Sequence, residues 1–162
     1  MTTPQIIAHR GASYLAPENT LIAFRKAMEI GADGVEMDVQ KTYDNELVIH
    51  HDYMVDMHTD ISGQIYDLTM GELKALDFGS WKDAIYANER IATLQEALEL
   101  CAGMEDTQVQ LELKSPLEDD PDFVPRVLDA VRAAGLTDRL TLISFHHALL
   151  RQAKQLMPEL KV

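Results

Sequence analysis

Asp33-Gly34-Val35-Glu36-Met37-Asp38-Val39 is the stretch on which the reading of this chain turns. Side chains alternate along a strand, so Glu36 and Asp38 share one face while Val35, Met37 and Val39 share the other. Successive same-face residues lie roughly 6.5–7 Å apart at the backbone, within reach of a single cation held by both carboxylates. The apolar face needs a helix packed on it, whereas two acids on a buried face need a reason to be there. An edge strand with a solvated face accounts for these seven residues equally well, so the surroundings must decide.

On the N-terminal side, Ile6-Ile7-Ala8 is a brief apolar strand running straight into His9-Arg10-Gly11. Pro17-Glu18-Asn19-Thr20 then provides a stop and a cap. Leu21, Phe24 and Met28 recur at helical spacing until Gly31. On the C-terminal side, Tyr43-Asp44-Asn45-Glu46 is a turn, and a third strand, Leu47-Val48-Ile49-His50, leads to His51-Asp52. Residues 53–92, punctuated by Gly63, Gly71, Gly79 and Asn88, read as an insertion above the strand ends. Its aromatics Phe78, Trp81 and Tyr86 could wall a pocket, but packing the insertion onto the body is their plainer use.

Thr69-Met70-Gly71-Glu72 and Thr93-Leu94-Gln95-Glu96 fit capping boxes that open helices. Val109-Gln110-Leu111-Glu112-Leu113-Lys114 alternates strictly, repeating the apolar and ionisable faces of the second strand. A helix from Phe123 to Ala134, a fifth strand at Leu140–Phe145, a helix from Leu149 to Met157 and the opening of a sixth strand at Leu160-Lys161-Val162 complete the chain. Alternating strands and helices call for a parallel sheet with ligand sites at its C-terminal ends, where His9, Arg10, His51, Asp52 and Lys114 collect. An open doubly wound sheet would press the acids under a helix, while a closed barrel turns them into its lumen; the barrel is the expected architecture.

With 162 residues, 46% of them hydrophobic, the chain can bury the core of one domain. Its net charge of −13 repels polyanions and opposes binding to nucleic acid or anionic lipid. No stretch is long and apolar enough to span a membrane, and Met1-Thr2-Thr3-Pro4-Gln5 lacks the basic and apolar regions of an export signal, so a cytoplasmic place is expected. Cys101 has no intrachain partner and reads as a small buried hydrophobe.

The order His9-Arg10-Gly11, Pro17-Glu18-Asn19-Thr20, Gly34-Val35-Glu36-Met37-Asp38-Val39, His51-Asp52, Thr93-Leu94, Glu112-Leu113-Lys114 and Ser144-Phe145 resembles the glycerophosphodiester phosphodiesterase family of TIM-barrel enzymes. The resemblance implies a metal-dependent hydrolase that cleaves glycerophosphodiesters to an alcohol and sn-glycerol 3-phosphate. It assigns His9 and His51 to general acid–base catalysis, Glu36, Asp38 and Glu112 to the metal, and Arg10 and Lys114 to the substrate phosphate. Asp52 supports His51. Three hard oxygen ligands with no soft donor suit Mg²⁺ or Ca²⁺. His50, next to His51 on a strand, faces the other way and reads as structural.

Two departures stand out: Met57-His58-Thr59 replaces the Arg-Thr-Thr of many relatives, and Ala92 stands where proline commonly precedes Thr-Leu. A full (β/α)₈ barrel takes about 250 residues, so the chain is expected to be an incomplete, C-terminally truncated barrel of about five strands and the start of a sixth, with open sheet edges that favour self-association. A non-catalytic fragment that keeps metal binding is the alternative reading, and a phospholipase D-like relative is a third.

Overall fold

The computed structural model describes residues 4–114 and 120–162. Met1-Thr2-Thr3, part of the start read above for an export signal, lie outside them.

Six strands form one mixed sheet: β1 (Ile7–Ala8), β2 (Gly34–Lys41), β3 (Leu47–Ile49), β4 (Ala92–Thr93), β5 (Gln108–Leu113) and β6 (Leu140–Ile143). The spatial order is β4-β3-β2-β5-β6, with β1 beside the first residues of β2. Eight residues long, β2 offers one edge to β5 and divides the other between β1 and β3. It is therefore central, and its acids do not lie on a solvated edge.

Two expectations about the sheet need correcting. First, β3 runs antiparallel to β2, with Val39 opposite Ile49 and Lys41 opposite Leu47. A four-residue turn cannot carry the chain back for a parallel pairing, which needs a crossover of a dozen residues or more. Asn45, at φ 64°, and a Thr42 hydroxyl donating to Asp44 Oδ1 at 2.6 Å build that turn. Second, Ala92–Thr93 is a short strand antiparallel to β3, and the sequence offered only the helix cap there. The expected sixth strand at Leu160-Lys161-Val162 is a single parallel bridge between Lys161 and Thr141.

The helices are α1 (Leu21–Glu29), α2 (Met70–Ala75), α3 (Leu94–Ala102), α4 (Phe123–Ala133) and α5 (His147–Leu156). The caps are those the sequence expects. Thr20 accepts from the Ala23 N–H at the head of α1, and Thr69 and Thr93 each close a capping box with Glu72 and Glu96. Residues of α1, α3, α4 and α5 share one apolar cluster with Val35, Met37 and Val39 of β2 and Val109, Leu111 and Leu113 of β5. Cys101 is buried within it, and burial pushes its thiol up to about 12. The opposite sheet face carries Glu36, Asp38, Gln40, Gln110 and Glu112.

The stretch 53–92 has a smaller core of its own, in which Val55, Ile65, Leu73, Phe78 and Ile91 pack on Val48 of β3. Phe78 and Tyr86 are buried in packing, while Trp81 is 40% exposed.

Gly34 of β2 lies against Gln108 of β5 with no room for a side chain: a Cβ there would stand 2.3 Å from the Gln108 carbonyl oxygen. Gly34→Ala should therefore force the two strands apart. The expected loss is about 3 kcal/mol, the upper end of overpacking costs, read from the urea midpoint.

Candidate metal and phosphodiester site

Parallel pairing of β2 with β5 puts Asp38 opposite Glu112, and alternation along β2 puts Glu36 on the same face. The three carboxylates offer oxygens that all lie within 4.8 Å of one another. Glu36 and Asp38 are buried, and Glu112 is partly so. Burial, followed by the negative charge of Asp38, pushes the Glu36 carboxyl up to about 7, with Glu112 adding to the rise and the Arg10 N–H opposing it. A cation at this point would remove that repulsion. Among the described residues Asp38 Oδ1 is buried without a hydrogen-bond donor, which is how an oxygen reserved for a metal would look. The all-oxygen donor set fits a hard divalent ion.

Two basic residues flank the carboxylates. Arg10 follows β1 in a left-handed turn, at φ 57°, and its N–H donates to Glu36 Oε2 at 2.9 Å. Its guanidinium reaches Glu18 Oε1 at 2.9 Å and stands 3.6 Å from Asp38 Oδ2. Lys114, just past β5, places Nζ 3.1 Å from Glu112 Oε1 and 3.6 Å from Asp38 Oδ1. Each ammonium or guanidinium is thus within one contact of the acid cluster.

The imidazoles differ in surroundings. His9 is exposed, with Nε2 3.9 Å from Glu36 Oε2. His51 Nδ1 lies 2.7 Å from Asp52 Oδ1. Burial raises the Asp52 carboxyl, but the hydrogen bond and charge of His51 outweigh it, and the net shift is downward. His50, as expected from its place beside His51, is buried, edge-on to His58 and Phe78.

The sequence reading missed two residues. Gln40 continues the Glu36, Asp38 face by one more step, and its amide donates to the carbonyls of His50, His51 and Asp52 at 2.7, 3.2 and 2.7 Å. Period two would have found it had the strand been extended past Val39. Asn19 was read only as part of a cap, yet its Nδ2 donates to Asp38 Oδ2 at 2.8 Å. An open groove of about 730 Å³ lies within the stretch 53–92, lined by His58, Asp77, Trp81 and Arg90 among others, and none of the three carboxylates lines it.

The model of the glycerophosphoryl diester phosphodiesterase family matches residues 9–162. The chain belongs to that family. It is 43% identical over 157 residues to a glycerophosphodiester phosphodiesterase of Caldanaerobacter subterraneus, covering 97% of this chain and 64% of the relative. A Bacillus altitudinis glycerophosphodiester phosphodiesterase is 35% identical, with 98% of this chain and 64% of the relative covered. Among solved structures, an Oleispira antarctica phosphodiesterase in complex with the product sn-glycerol-3-phosphate is 39% identical, with a TM-score of 0.89, over 97% of this chain and 64% of that one. An Agrobacterium tumefaciens glycerophosphodiester phosphodiesterase gives a TM-score of 0.87 at 29% identity, over 98% of this chain and 65% of that one. The chain thus spans about 64% of the length of the curated relatives it matches. Among the described residues, no helix is long and apolar enough to cross a membrane.

Proposed function

We propose that this chain carries the catalytic end of a metal-dependent phosphodiesterase that hydrolyses glycerophosphodiesters to an alcohol and sn-glycerol 3-phosphate, within a (β/α)₈-type barrel domain whose residues 53–92 sit above the strand ends. The observation that carries the reading is the convergence of Glu36, Asp38 and Glu112 between Arg10 and Lys114. Family membership and the product named for the Oleispira antarctica structure support it.

Glu36, Asp38 and Glu112 would hold Mg²⁺ or Ca²⁺, which supplies charge stabilisation at the phosphoryl oxygens and lowers the pKa of a bound hydroxyl. Arg10 and Lys114 hold the phosphodiester by its non-bridging oxygens, and their fixed charges meet the negative charge that spreads in the transition state. His9 and His51 divide the proton work: one takes a proton from the nucleophile, a neighbouring glycerol hydroxyl or water, and the other gives one to the leaving alkoxide. Asp52 accepts from His51 Nδ1, which leaves Nε2 as the atom that exchanges the proton.

The test is turnover of glycerophosphocholine by the 162-residue chain with Mg²⁺ or Ca²⁺. Release of sn-glycerol 3-phosphate that a chelator abolishes is the expected result. Metal binding without turnover would overturn the catalytic reading and favour the second one, a non-catalytic chain that retains only metal binding.

A further inference from the structure

We infer that Asn19 is a positioning residue that sets which oxygen of Asp38 is offered to the metal. The inference rests on the metal site proposed above, and goes beyond it by giving the loop after β1 control over that site's affinity.

Asn19 lies in that loop, immediately before the Thr20 cap of α1. It is 2% exposed, has φ 57°, and donates its backbone N–H to the Arg10 carbonyl. Asparagine tolerates this left-handed conformation better than most residues. Its side chain makes a two-point clasp on one residue 19 positions away. Oδ1 accepts from the Asp38 N–H at 3.3 Å, and Nδ2 donates to Asp38 Oδ2 at 2.8 Å. The first contact fixes the amide's orientation, because only the carbonyl end can face an N–H. The second then follows.

With Oδ2 engaged, Asp38 Oδ1 is left buried beside Glu36 and Glu112 without a hydrogen-bond donor among the described residues, the Lys114 ammonium standing 3.6 Å away. A neutral amide does this without opposing a cation, as an ammonium at the same point would. Glutamine would be too long for the clasp and aspartate would bring a second negative charge against Oδ2.

The test is titration of Mg²⁺ and of Ca²⁺ into the chain by calorimetry, alongside unfolding of the metal-free protein. Asn19→Gly keeps the backbone conformation and removes the amide. It should weaken metal binding by about 10–100-fold, the usual effect of losing a partner of a metal ligand. Thr20→Ala is the control: it removes the α1 cap, so the metal-free unfolding midpoint should fall while metal affinity stays within about twofold. Equal affinity in wild type and Asn19→Gly would overturn the inference and leave the metal site standing. A wild type that binds neither ion would remove the site itself. Should Asn19→Gly not fold, Asn19→Ala takes its place, and failure of both to fold would assign Asn19 to the fold and overturn its positioning role.

Discussion

Alanine at His51, or at His9, should lower kcat for a glycerophosphodiester by about 10²–10⁴-fold, the span of general acid–base effects, and leave Mg²⁺ or Ca²⁺ affinity unchanged. Neither imidazole belongs to the three-carboxylate group, so their loss does not empty the metal site. Glu36→Ala removes a proposed ligand and should lose affinity and turnover together. The pH profile of kcat/KM adds a second test: with both histidines present it should be bell-shaped, and each alanine variant should lose one limb. Full turnover in either variant withdraws that residue from the proton work.

The second large effect is on stability, and two buried groups of opposite sign produce it. Glu36 has its pKa raised from 4.5 to about 7, so the folded chain holds a proton that the unfolded chain releases. Its contribution is intact below pH 4.5 and is lost as pH rises through 7, by about 3 kcal/mol at 1.36 kcal/mol per unit. His50 has its pKa lowered from 6.5 to about 3, by burial first and then by the charge of His58. The unfolded chain takes up that proton and the folded chain does not. Its contribution is intact above pH 6.5 and is lost as pH falls toward 3, by about 5 kcal/mol in full. Burial lowers His58 as well, in the same direction.

Between pH 4.5 and 6.5 the Glu36 slope opposes that of His50, and the downward shift of His58 tips the balance toward stability that rises with pH. In metal-free protein the urea-derived stability should fall steeply on the acid side through His50, change only shallowly between pH 4.5 and 6.5, and fall toward pH 7 through Glu36. Glu36→Gln should remove the neutral fall, and His50→Gln should make the acid one shallower, the remainder coming from His58 and from carboxylates such as Asp52 whose pKa is lowered. Saturating Ca²⁺ should flatten the neutral side of the wild type, since it holds Glu36 ionised. A neutral limb that persists in Glu36→Gln would assign the fall to another group.

Much of this site was legible in the order of residues, because period two fixes faces without knowledge of the fold. Glu36 with Asp38, and Glu112 with Lys114, follow from alternation alone, and the parallel pairing of their strands then brings them together. The threonine caps at positions 20, 69 and 93 were equally local. The direction of β3 was missed because the strand pattern outweighed the four-residue turn that should have set it. Asn19 was missed for a different reason. Its partner is 19 residues away, and an asparagine before a helix is already explained as a turn residue. Gln40 carries no charge to draw notice and lies one step past the end assigned to its strand.

The amide of Gln40 grips three successive carbonyls, so the segment bearing His51 is stapled to the strand that bears Glu36 and Asp38. The His51 imidazole and the two carboxylates are thereby mounted on one beam. A change in the packing of residues beyond Tyr53 would therefore have to break these hydrogen bonds before it altered the spacing between them.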